Sequence, residues 1–194
     1  MDKHSQKNGI IEGTIWKQLL IFFFPILVGT FFQQLYNTVD AVIVGQFAGK
    51  EALSSVGGSS SQIINFVVGF FTGLSAGATV IISQFYGAND ANKIHRALHT
   101  AYAFSIVGGI IAGIIGIALT VPVMKLMNTP EELMHDSAMY VMIYFGGLVF
   151  IFVYNMGSAI LRAIGDSKRP LYYLIICCFI NIVLDIVFVS VLKL

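Results

Sequence analysis

The chain is 194 residues long, 57% hydrophobic and 11% charged, with a net charge of +1 and a mean hydropathy of +0.83. A soluble domain carries about 25% charged residues, so this chain lacks the polar side chains to cover a water-facing surface. That balance excludes an ordinary soluble domain, gives no electrostatic footprint for nucleic acid, and marks an integral membrane protein.

Residues 1–18, MDKHSQKNGIIEGTIWKQ, form a polar segment too long for a signal peptide, and no small-residue cleavage site follows the first apolar run. That run reads as a retained anchor, and the remainder, 19–194, as one transmembrane bundle. Five apolar stretches, 19–47, 53–85, 98–124, 138–161 and 171–192, are each long enough for the ~20 helical residues that cross a bilayer. The alternation a barrel strand requires is absent. Helices are the other structures that satisfy their own backbone in lipid, so the fold class is an all-α, polytopic helical bundle.

The connections carry turn chemistry: GKEALSSVGGSSS, YGANDANKIHR, MNTPEELMHD and RAIGDSKRP in order. Placing the N-terminus in the cytoplasm puts Lys3, Lys7, Lys17, Lys93, Arg96, Arg162, Lys168 and Arg169 inside, and leaves Lys50, Lys125 and Lys193 outside. The positive-inside rule favours that orientation. No internal repeat is evident across the five spans, and the expectation is that the chain is part of a larger design. Cys177 and Cys178 are adjacent, a poor spacing for a disulfide, and carry no redox or metal role.

Polar residues within the spans are few. On the first, Gln33, Asn37 and Asp40 lie at i, i+4 and i+7; on the fifth, Asn181 and Asp185 are four apart. Each set shares a helix face, and both helices run outward, so the two carboxylates are expected at comparable depth in the outer half of the membrane. Carboxylates at membrane depth are costly and mark ion or substrate paths. With amide neighbours they offer oxygen ligands for Na⁺, and they can equally hold a proton. No Lys or Arg sits mid-span to pair with them, and His4, His95, His99 and His135 all fall in loops or at span ends. The bland alternatives are that Asp40 caps an interfacial helix end and that Gln33 and Asn37 are interhelical glue. Gln34 and Tyr36 belong to the same stretch and extend its polar network toward a substrate. Pro25, fifteen residues before Asp40, is either a hinge or a static kink. The glycine-rich run 108–116 permits close helix packing, and the Phe and Met side chains read as lipid-facing or core surface.

Three stretches carry a family resemblance. GTIWKQLLIFFFPILVGTFFQQLYNTVDAVIVGQFAG resembles the first helix of the multidrug and toxic compound extrusion (MATE) family. ISQFYGANDANKIHRAL resembles the loop after its second helix, and LRAIGDSKRPLYYLIICCFINIVLDIVFV its fourth-to-fifth connection and fifth helix, with Gly165–Pro170 among the more specific signatures. The resemblance implies about five helices of a six-helix amino-terminal lobe, in a bacterial or archaeal plasma membrane. It implies a secondary antiporter exporting amphipathic or cationic compounds in exchange for Na⁺ or H⁺, with no other cofactor and no enzymatic activity. It assigns the cation site to Asp40, Asn181 and Asp185 and bending of the first helix to Pro25. Sixth helix and second lobe are missing, so this chain alone should not transport. The alternatives are a related lipid-linked oligosaccharide flippase, or a transport-inactive truncated protein that associates with full-length copies.

Overall fold

A computed structural model describes residues 14–191, all of whose regular structure is helical. Most of the 1–18 segment, with Lys3, His4 and Lys7, and the end of the fifth span, with Lys193, lie outside the described residues. Seven α-helices follow in order: α1 (Ile15–Ile43), α2 (Gly49–Gly57), α3 (Ser59–Gly87), α4 (Ala91–Leu126), α5 (Glu131–Gly146), α6 (Leu148–Ala163) and α7 (Lys168–Asp185). Helices α1 and α7 each continue into a π-helical turn, Val44–Ala48 and Ile186–Val191, and these two turns touch. Among the described residues four helical stretches are long and apolar enough to cross a membrane, and five when α5 and α6 are taken together as one bent span.

Two connections differ from their sequence-based expectation. The stretch after the first span is not a loop: Gly49, at φ 92 and ψ 178, reverses the chain, and Lys50-Glu51-Ala52-Leu53 then winds α2. The Ser55 carbonyl, freed where α2 gives way to α3, is satisfied by the hydroxyls of Ser60 on α3 and Ser137 on α5, which both donate to it (2.6 and 3.1 Å). The fourth span is two helices meeting at 51°. The Gly146-Gly147 pair sits at the break, a common cause of a sharp kink. Helix α5 begins earlier than expected, directly after Pro130, with Glu131 and Glu132 in its first turn, where negative charge suits the helix dipole.

The core lies among α3, α4, α5 and α6. Ile64, Met124, Val141, Phe145, Leu148 and Phe152 form one cluster, with Phe71 stacked on Phe152. Ile82, Ala101, Met156, Ile160 and Ala163 form another. The 108–116 run earns its glycines here: Gly109, Gly113 and Gly116 face the α5–α6 break, and an added Cβ would lie 2.8 Å from the Val149 Cα, 2.8 Å from the Phe145 carbonyl oxygen and 2.5 Å from the Phe145 ring respectively. The large side chains left exposed, among them Phe66, Leu126, Ile143 and Phe150, form the surface a bilayer would cover.

Helices α1 and α7 pack along each other beside this core. Gly29 admits Leu171 and Leu174, and the Cys178 thiol approaches the Phe32 carbonyl at 3.9 Å. The pairing advances in the same direction along both helices, so the two run parallel. Two carboxylates cap helix starts. Asp90 accepts the Lys93 amide (3.1 Å) and pairs with its ammonium (3.0 Å). Asp166 accepts the amides of Lys168 and Arg169 and pairs with the Arg169 guanidinium, each at 3.1 Å. The Gly165–Pro170 signature is thus a turn: Gly165 takes the positive φ of 89 that ends α6, and Asp166 starts α7.

Candidate functional site

A polar side chain inside a bundle must find a partner or remain costly. Most hydroxyls here solve this within their own helix. Thr30 donates to Ile26, Thr72 to Val68, Ser75 to Phe71, Ser105 to Ala101 and Thr120 to Gly116, at 2.6–3.0 Å. Among the described residues, four buried side-chain atoms find no partner: Asp40 Oδ1, Asn181 Oδ1, Asp185 Oδ2 and the Ser55 hydroxyl. Three of the four belong to α1 and α7.

The parallel packing of those helices explains their meeting. Continuing the register from Gly29 through Phe32, the next turns of α1 bring the Asp40 carboxyl against that of Asp185. Asn181 stands one helical turn before Asp185. All three are half-buried. The two acid side chains face each other, with an amide oxygen nearby and no cationic side chain among the described residues acting on Asp40. Unpartnered carboxylate and amide oxygens can accept a proton or a hard cation.

The neighbouring expectations divide. Asn37 does not join the aspartates: it is exposed, and its amide reaches Gln34, one turn back, at 3.4 Å. Gln34 accepts that contact and is itself exposed. Tyr36 is half-buried, within hydrogen-bonding reach of Gln33 and within electrostatic range of Asp40 and Tyr154. Pro25 is buried and, with Gln33, Tyr154, Ser158, Arg162, Pro170 and Leu174, lines a cavity of about 120 Å³ with a mixed polar and apolar wall between α1, α6 and α7. Two further residues were missed in the sequence: Tyr140 of α5, which lies in range of Asp40, and Tyr144, in range of Tyr140 and Tyr36. Their i, i+4 spacing was the available signal.

The sequence pattern of the MatE family matches residues 25–187, an interval that includes Asp40, Asn181 and Asp185. The chain is 32% identical over 173 residues to the "Probable multidrug resistance protein YoeA" of Bacillus subtilis, matching 89% of this chain and 37% of that protein. It is 22% identical over 178 residues to the "Multidrug export protein MepA" of Staphylococcus aureus, covering 90% of this chain and 38% of that one. The fold superposes with a TM-score of 0.90 on the outward-facing conformation of a multidrug resistance MATE family transporter of the MOP superfamily, at 24% identity, covering 98% of this chain and 42% of the other. The chain therefore spans about two fifths of the length of the proteins it matches, a partial lobe. With the family pattern extending over most of the sequence and the fold agreeing with it, this chain belongs to the MatE family of membrane transporters.

Proposed function

We propose that this chain supplies the ion-coupling part of a secondary multidrug exporter, in which Asp40, Asn181 and Asp185 hold one exchangeable Na⁺ or H⁺. The observation that carries the reading is the concentration of three partnerless buried oxygens where α1 meets α7. A cation between the two carboxylates removes their repulsion and draws α1 and α7 together; its loss restores the repulsion and separates them. Pro25 deprives the Ile21 carbonyl of its helical partner and gives α1 a place to bend in response. Transport in such folds rocks one half against another, so the activity belongs to an assembly that includes a second lobe. The cargo on this reading is a small amphipathic or cationic compound, the setting a bacterial plasma membrane, and the N-terminus cytoplasmic.

The test joins this chain to a family second lobe and measures efflux of a cationic dye at several pH values, with and without Na⁺. Asp185→Asn keeps the side chain's shape and removes its charge, and is expected to abolish gradient-driven efflux while membrane insertion persists. Asp40→Asn should match it, and the double variant should lose little more, as expected for residues in one contact. Normal transport by Asp185→Asn under every gradient would place the coupling elsewhere.

A further inference from the structure

Helix α4 carries His95 and His99 in its opening turns, four residues apart and both exposed. Residues at that spacing are neighbours on one helix face. The two Nε2 atoms lie 3.2 Å apart, the ring centroids 4.3 Å apart, and the rings are inclined at 60°. We propose that His95 and His99 form a two-imidazole chelate for a divalent transition metal ion of the Zn²⁺ or Cu²⁺ type.

The geometry is close to what a metal requires. Zinc–imidazole bonds of ~2.05 Å spanning this separation subtend an angle of about 103° at the metal, near the tetrahedral value of about 109°. The spacing is that of the two histidines in helical HExxH zinc sites, but position 96 is arginine rather than glutamate, so the pair lacks the general base of a hydrolase. Among the described residues no third His, Cys, Asp or Glu completes the set. Water fills the remaining positions, which makes the site exchangeable rather than structural. In the tautomer that carries its hydrogen on Nδ1, each ring presents its Nε2 lone pair to a metal. The charged groups flanking the pair are Lys93, whose ammonium is held by Asp90 at 3.0 Å, and Arg96. A metal held this way clamps the first turns of α4, because only a helical backbone keeps the two rings together.

The test uses the full 194-residue chain without a histidine tag, with His4 and His135 replaced by Gln so that the pair is the sole imidazole source. Titration with Cu²⁺, read by electron paramagnetic resonance, should give one copper per chain with hyperfine splitting from two imidazole nitrogens, displaced by Zn²⁺. His99→Gln should weaken binding by more than the 10–100-fold typical of losing even an outer-shell partner. Combining His99→Gln with Thr100→His keeps two imidazoles but sets them five residues apart, and should bind no better than the single variant. Equal affinity of that shifted variant, or a one-nitrogen spectrum from the parent, overturns the proposal.

Discussion

Placing a methyl group at Gly113 puts it 2.8 Å from the carbonyl oxygen of Phe145, against the 3.5–4.0 Å of an ordinary contact (about the optimum for carbon). The obstacle is backbone at the end of α5, beside the break with α6, so no rotamer change relieves it. Two effects oppose each other in Gly113→Ala. Alanine in a helix interior gains about 1 kcal/mol over glycine, while forcing an extra methyl into a packed core costs about 1–3 kcal/mol. The net is a loss of roughly 0–2 kcal/mol. Gly77→Ala, on α3, meets nothing within 4 Å and keeps the gain. The two variants should differ by about 1–3 kcal/mol, or roughly 5- to 150-fold in the folded ratio. Thermal unfolding in detergent micelles, followed by near-ultraviolet circular dichroism, reads this directly. Gly116→Ala is a useful companion, because its clash is with the Phe145 ring: Phe145→Leu should relieve it and show coupling in a double-mutant cycle, yet leave Gly113→Ala as it was. If Gly113→Ala is as stable as Gly77→Ala, the close approach of α4 to the α5–α6 break is not where the structure puts it.

Gly49 adopts φ 92, ψ 178, a region essentially confined to glycine, so Gly49→Ala should destabilise by about 1–3 kcal/mol despite open space around it, measured by the same unfolding assay; an unchanged midpoint would count against this turn. The Lys93 side-chain and amide contacts hold the Asp90 carboxyl below the usual carboxylate range. Its contribution is therefore present above an ordinary aspartate's pKa and is lost as the pH falls through its lowered value, so the protection of amides 91–94, taken relative to intrinsic exchange at each pH, should begin to fall below about pH 4, a pH dependence that Asp90→Asn would remove. A single cysteine at Glu131, with Cys177 and Cys178 replaced by alanine, should be labelled by an impermeant maleimide from outside the cell; labelling from the cytoplasmic side alone would reverse the proposed orientation.

Hydropathy made the spans legible, and helical arithmetic made Asp40 and Asp185 legible, because a carboxylate stands out in an apolar run whatever packs against it. The break at Gly147 did not show, since hydropathy carries no direction and the apolar run passes through it unchanged. Helix α2 was hidden by the glycines and serines around it, which resemble a loop until their hydroxyls are seen satisfying a helix end. Asn37 illustrates the limit of face arithmetic. At 3.6 residues per turn it stands about 60° around the axis from Asp40, near enough to count as one face and far enough for its amide to settle on Gln34. Tyr140 and Tyr144 lay on a helix whose partner could not be known without its bend, and an uncharged phenol does not stand out as an acid does.

The π turns that follow α1 and α7 hold one residue of slack each. A π turn tightens to an α turn by passing that residue along the helix, which swings everything beyond it by about 100° and advances it by about 1.5 Å. The slack begins at Val44 on one helix and Ile186 on the other, just past each acid, so a slip there would leave Asp40 and Asp185 facing one another. Because the two turns touch, a change of pitch in either one meets the other turn first.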